Sequence, residues 1–158
     1  MTIWYRAHNA DNISEVFSGD SGLFAANRWN YMGDKAVYCS DSIALCTLEW
    51  LTNAGLSLSG FSYYRYSINV PDNLIVKFDL SALPVNWNIA PAHDFTRDFA
   101  NEYLFSSTKY LALAVPSAIV PEEYNLVINP LHPSFQAVFK TIKSLGKYIA
   151  PVRADKGH

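Results

Sequence analysis

Two arginines have neighbours of the kind that phosphate chemistry uses. Arg6 lies in the aromatic run Trp4-Tyr5-Arg6, and Arg28 lies in Asn27-Arg28-Trp29-Asn30. A guanidinium among aromatic and amide groups can grip a phosphate with both arms of its fork or stack on a base; it can equally be an ordinary surface or ion-paired arginine. Glu49 sits in the segment Ser42-Ile43-Ala44-Leu45-Cys46-Thr47-Leu48-Glu49-Trp50-Leu51. At about 100° per residue it shares a helix face with Ser42, Leu45, Cys46 and Asn53, the least apolar face of that helix. The pattern favours a solvated glutamate; the functional alternative is a carboxylate carried into a cleft by a rigid helix. Ser117 follows Pro116 at the end of the apolar run 111–115, where a serine either meets a ligand or closes a loop. Tyr38 ends a short strand before the helix and reads by itself as a core or rim tyrosine.

Other chemistries find little support. The seven glycines form neither GxGxxG nor a phosphate-binding loop. His8, His93, His132 and His158 are scattered, without HExxH or HxH spacing, so no metal site is expected. No GxSxG elbow supports a serine nucleophile. Cys39 and Cys46 fit neither a disulfide scaffold nor a zinc signature, and read as small buried hydrophobes in a reducing compartment.

The elements that would position these residues belong to one domain, 1–158. Half of the 158 residues are hydrophobic, 16% are charged and 15% are aromatic, which excludes intrinsic disorder. A net charge of −2 excludes a global polycation, so direct nucleic-acid binding is not expected. No apolar run approaches the ~18 residues a membrane helix needs, and the first residues lack a signal-peptide pattern, so a cytoplasmic protein is expected.

Along the chain, alternation predicts a strand at 2–7, then an irregular stretch at 9–34 long enough to hold short helices or a function. A strand at 35–39 leads to a helix capped by Ser40 or Asp41 that runs to about Ala54, with Gly55 past its end. Residues 61–70 form a strand with Tyr64, Tyr66, Ile68 and Val70 on one face. A turn at Pro71-Asp72-Asn73 and a strand at 74–80 complete an expected antiparallel hairpin. A loop at 81–95, a helix at 96–106, and strands at 110–115 and 125–128 follow. A helix starting at Pro133 carries the stripe Phe135, Val138, Phe139, Ile142 and Leu145 and ends at Gly146; a last strand at 147–152 precedes a frayed tail, 154–158. The predicted class is α+β, with a mixed, largely antiparallel sheet and flanking helices.

In order and spacing these pieces resemble the RES domain family, named for its Arg, Glu and Ser. The resemblance runs over nearly the whole chain: Tyr5-Arg6; Arg28-Trp29-Asn30; Gly33; Val37-Tyr38; Ser42, Ala44-Leu45 and Leu48-Glu49; Val115-Pro116-Ser117-Ala118-Ile119; Asn125-Leu126-Val127-Ile128-Asn129-Pro130; and His132-Pro133. The chain departs where the family has two glycines before Arg-Trp-Asn, since Ala26-Asn27 stands there. Asn tolerates positive φ better than most residues.

The resemblance implies an ADP-ribosyltransferase-like fold and the toxin of a type II toxin–antitoxin pair, with an Xre-type DNA-binding antitoxin as partner. It implies an enzyme, needing no cofactor, that takes NAD+ as substrate and cleaves the nicotinamide–ribose bond by phosphorolysis, with inorganic phosphate as co-substrate. The alternatives are a protein ADP-ribosyltransferase and a catalytically degenerate binding module. By motif Arg28, Glu49 and Ser117 would be catalytic, with Arg6, Tyr38, Arg28 and Ser117 binding substrate. In those roles Glu49 would stabilise an oxocarbenium-like ribose, the arginines would hold phosphates, Tyr38 would meet the nicotinamide ribose, and Ser117 would bond a phosphate or ribose oxygen. The antitoxin's carboxyl-terminal end is expected in the arginine-lined cleft, and a homodimer within that complex is left open.

Overall fold

Alternating side chains build the sheet on which everything else rests. In β3 (Ser62–Val70) Tyr66, Ile68 and Val70 are buried on one face, as the pattern predicts. β1 (Thr2–His8) pairs antiparallel along it from Thr2↔Val70 to His8↔Tyr64. The structure, a computed structural model, describes residues 2–54 and 62–150. Among them seven strands form one sheet. With β2 (Val37–Ser40), β4 (Ile75–Lys77), β5 (Ala112–Pro116), β6 (Tyr124–Ile128) and β7 (Lys143–Ile149), the order is β4-β5-β6-β2-β1-β3-β7. Of the adjacent pairs, β4·β5 is parallel and the rest are antiparallel. The expected α+β class with a mixed, largely antiparallel sheet is therefore what the chain adopts.

Two expectations fail for topological reasons. The hairpin joining 61–70 to 74–80 does not form. β3 already has β1 on one side and β7 on the other, so the chain after Pro71 crosses to the far edge and β4 pairs parallel with β5. The expected helix from Pro133 to Leu145 is also too long. It reduces to α5 (Phe135–Phe139). The Thr141 hydroxyl donates to Val138 O at 2.7 Å and accepts from Asn69 N at 2.9 Å, which docks the chain on β3 and turns it into strand β7. Leu145, the last residue of the predicted stripe, lies in that strand.

The irregular stretch holds two short helices, α1 (Ile13–Val16) and α2 (Ser21–Phe24). Gly22 packs so closely on the following strand connection that a Cβ there would lie 2.0 Å from Asp34 O. The expected 40–54 helix is α3 (Ile43–Ala54). Its cap is Ser42, whose hydroxyl accepts from Leu45 N at 3.0 Å, rather than Ser40 or Asp41. The expected 96–106 helix is α4 (Asp94–Ala100), which continues as a π-helical turn to Phe105. Gly55 and 154–158 lie outside the described residues. No helix among the described residues is long and apolar enough to cross a membrane.

The two faces of the sheet are packed differently. On the first, Trp4, Val37, Cys39, Tyr66, Ile68, Val70, Leu126 and Ile128 join one cluster with Val16, Phe135 and Val138 from α1 and α5. On the second, Trp29, Trp87, Leu113, Val115 and Val127 cluster beneath α4. A separate cluster there joins Ala7, Cys46 and Tyr63 with Trp50 of α3. Both cysteines are free and buried, and burial pushes their thiols up, Cys39 to about 12 and Cys46 to about 11.

Candidate functional site

The second face carries Tyr38 and Ser40 of β2 and Asn125 of β6, by the alternation that sends Val37, Cys39, Leu126 and Ile128 to the first. Ser40 and Asn125 are direct partners across the ladder, and the Ser40 hydroxyl donates to Asn125 Oδ1 at 2.9 Å. Ser117 comes one residue after β5 and is held in register by Ser117 N donating to Glu123 O. α3 packs over β1 and β2 and brings Glu49 to this group. Glu49 Oε1 accepts from Ser117 Oγ and from Asn125 Nδ2, both at 2.8 Å. Oε2 has no hydrogen-bond partner among the described residues.

This corrects the solvated-glutamate reading of Glu49. The helix face it shares with Leu45 and Cys46 is the one turned to the sheet, both of those being almost completely buried, whereas Ile43 and Leu48 are exposed. The Glu49 face is less apolar because it supplies the polar contact, not because it faces water.

Ser117 is fully buried. Its hydroxyl proton goes to Glu49, and its oxygen accepts from Ile119 N and Val120 N, each at 3.1 Å. With one donor and two acceptor positions all used, the hydroxyl holds the carboxylate and the 117–120 turn together.

Arg28 stands on a tight turn closed by Asn27 N donating to Asn30 O. Trp29 anchors the turn, its ring 6.1 Å from those of both Trp87 and Phe99. α4 pins it from outside: Thr96 Oγ1 donates to Arg28 O, and Arg97 Nε to Asn27 O. Nη1 of Arg28 donates to Trp87 O and Ile89 O, both at 2.9 Å, which fixes the plane of the guanidinium. Nε and Nη2 have no hydrogen-bond partner among the described residues. Burial lowers the pKa of Arg28 from its ordinary value, and the neighbouring Glu49 carboxylate opposes that shift first. Ala26 and Asn27, which replace the expected glycines, keep negative φ; the positive-φ residue other than glycine among those described is Asn86. The turn therefore needs no glycine at either position.

The Tyr38 hydroxyl donates to Asn30 Oδ1 at 2.6 Å, and burial raises its pKa. Asn30 is wholly buried and its amide nitrogen donates to Ala25 O and Tyr31 O, so it ties the Arg28 turn to β2. Arg6 is placed apart from this group. Its position in β1 gives it the face of Trp4, and it donates from Nε to Val16 O at 2.9 Å and from Nη1 to Tyr38 O at 2.8 Å. β1 and β2 share one register pair, Tyr5↔Ser40, and Arg6 bridges the seam where the ladder stops. Burial lowers its pKa.

The structure thus joins Glu49 to Ser117 by a hydrogen bond, sets Arg28 and Tyr38 beside them, and turns Arg6 to the other face. Sequence reasoning passed over Asn30, Ser40 and Asn125 as site residues. Strand parity is the signal that finds two of them: once Tyr38 and Val127 are placed on the second face, Ser40 and Asn125 must share it. Among the described residues no group of three or more His, Cys, Asp or Glu side chains is placed to hold a metal ion.

A profile described as the RES domain matches residues 3–148. The Toxin Res of Photorhabdus laumondii is 32% identical over 143 residues, covering 90% of this chain and 91% of that protein. The Toxin Res of Yersinia enterocolitica is 32% identical, covering 89% and 92%. A protein of a Sphingobium species named Prs ADP-ribosylating toxin is 34% identical, covering 84% and 81%. Among solved structures, a chain of the M. tuberculosis MbcT-MbcA toxin-antitoxin complex superposes with a TM-score of 0.64 at 16% identity, covering 95% of this chain and 84% of that one, a likeness of fold.

Proposed function

The chain belongs to the RES domain family, and on that premise we propose that it is the toxin of a toxin–antitoxin pair, an enzyme that cleaves NAD+ at the nicotinamide–ribose bond and passes the ribosyl carbon to inorganic phosphate. The observation that carries the reading is Glu49: a carboxylate fixed through Oε1 by two donors, with Oε2 without a hydrogen-bond partner among the described residues and Arg28 nearby. Rupture of the nicotinamide–ribose bond builds positive charge on the ribose, and nicotinamide departs as a neutral base without needing a proton. A pre-set carboxylate is what such a transition state requires, because it meets the developing charge without reorganising.

In this reading Oε2 of Glu49 faces the ribose. Arg28 offers Nε and Nη2 to the pyrophosphate, its Nη1 being engaged by Trp87 O and Ile89 O. Tyr38 presents its ring at the ribose, its hydroxyl being held by Asn30. Ser117 acts through Glu49, since its own hydrogen-bonding capacity is used. Arg6, on the other face of the sheet, braces the seam between β1 and β2 through Val16 O and Tyr38 O. An enzyme that consumes NAD+ in its own cell needs a restraint. An antitoxin of the Xre type, seating its carboxyl-terminal end on Arg28, is the partner we propose.

Incubating the purified protein with NAD+, with and without phosphate, tests this. Phosphate-dependent release of nicotinamide and ADP-ribose 1″-phosphate is expected. Unchanged NAD+ under both conditions overturns the reading. The second reading, ADP-ribosyl transfer to a protein, is favoured by the name of the Sphingobium relative; label from NAD+ appearing on protein in place of the phosphate product would select it.

A further inference from the structure

A carboxylate at the end of three rotatable bonds is not positioned by its helix alone. Glu49 Oε1 receives two bonds of 2.8 Å, one from Ser117 and one from Asn125. Asn125 is in turn constrained. Its Oδ1 accepts from the Ser40 hydroxyl at 2.9 Å, and Ser40 is 2% exposed, which shields that proton from bulk solvent. With its carbonyl end held by a donor, the amide must present its NH2 to Glu49. Ser40 and Asn125 face each other in the β2·β6 ladder, and Ser40 is also the residue at which β2 pairs with β1 through Tyr5. The relay therefore starts at the centre of the sheet, where backbone positions are best fixed, and ends on the one carboxylate that α3 brings to the site.

Both donors meet the same oxygen. Split between Oε1 and Oε2, they would occupy both oxygens of the carboxylate. Concentrated on Oε1, they set the plane of the group and leave Oε2 for the substrate. We propose that Asn125, oriented by Ser40, is a positioning residue for Glu49, and that it sets which carboxylate oxygen meets the ribose. This rests on the NAD+-cleavage reading given above.

Steady-state turnover of NAD+ with phosphate tests the relay in the full chain. Asn125→Ala should lower kcat by about 10²-fold, the scale of a misplaced reacting group, while KM for NAD+ moves far less. Asn125→Asp keeps the shape but removes the donor and adds a like charge, so it should lose at least as much as Asn125→Ala. A residue with only a packing role would show the reverse order. Ser40→Ala, a smaller change in case the Asn125 variants fold poorly, should lower kcat in the same direction with an unchanged KM. The deciding readout is a double-mutant cycle. In a Glu49→Gln background Asn125→Ala should change kcat by less than about twofold, because the charge it positions is gone. Full additivity of the two losses, or parental kcat in Asn125→Ala and Ser40→Ala, overturns the proposal while leaving NAD+ cleavage standing. A parental protein that does not turn over NAD+ overturns both.

Discussion

The two faces of the sheet make opposite use of the same strands. On the first, residues from β1, β2, β3, β5 and β6 merge into one apolar cluster roofed by α1 and α5. On the second, the apolar side chains divide into two clusters, one under α4 and one under α3, and the polar group Ser40, Asn125, Glu49 and Ser117 is assembled separately from either. A continuous core gains stability from every buried methylene. A polar network gains little net stability but costs heavily if any member is left unpaired. On the proposed reading the first face supplies stability and the second chemistry, and substitutions on each should separate the two.

The largest separation is expected from Ile68, fully buried on the first face. Ile68→Ala should cost about 2–5 kcal/mol of unfolding free energy through lost burial and a cavity. Turnover per folded molecule should stay at the parental value. Denaturant unfolding alongside NAD+ turnover checks this, and a lost kcat at full folding would break the division between faces.

Arg28 sharpens the other half. Arg28→Ala removes charge-assisted hydrogen bonds worth roughly 1.5–3 kcal/mol to a bound anion, so NAD+ affinity should fall by about 10- to 100-fold. Arg28→Lys should recover little, because an ammonium cannot hold Trp87 O and Ile89 O and also offer a fork to phosphate. Calorimetric titration with NAD+ measures both variants. Parental affinity in Arg28→Ala would remove the residue from the site.

A smaller effect concerns His8, at the end of β1 beside Arg6. Burial first, and the Arg6 charge second, lower its pKa to about 4, and its Nδ1 accepts from Ala10 N. The unfolded histidine titrates near ~6.5, so between those values the unfolded chain binds more protons and stability must rise with pH. Its contribution is complete above the unfolded value and is lost as pH falls toward the folded one. Unfolding midpoints near neutral pH and near about pH 5 should differ less in His8→Asn than in the parent; an equal difference would mean that His8 carries none of the acid sensitivity.

Much of this arrangement is legible in the sequence. Period-two alternation found β1 and β3, and apolar runs found β5 and β6, because a strand's faces are written locally. What failed was non-local. Nothing in 71–80 says that both sides of β3 are already taken. The stripe from Phe135 to Leu145 reads as helix until Thr141 is bonded to Asn69. At the site, the order of motifs picked out Arg28, Glu49, Tyr38 and Ser117, which the fold brings to one region. The amphipathic pattern of α3 misled, since a face lined by Glu49 looks solvated when its partners, Ser117 and Asn125, stand 68 and 76 residues away. Arg6 was legible as an unusual arginine, but its strand parity, which sends it to the Trp4 face, was the better guide to its surroundings.

The most direct test is the rate of NAD+ turnover by Glu49→Gln. Glutamine keeps a carbonyl oxygen to accept from Ser117 and Asn125, so the fold should melt as the parent does while the charge is gone. Loss of one preorganised electrostatic group should cost on the order of 10²–10³ in kcat, with NAD+ affinity changed much less. Parental turnover by a folded Glu49→Gln protein would contradict the account.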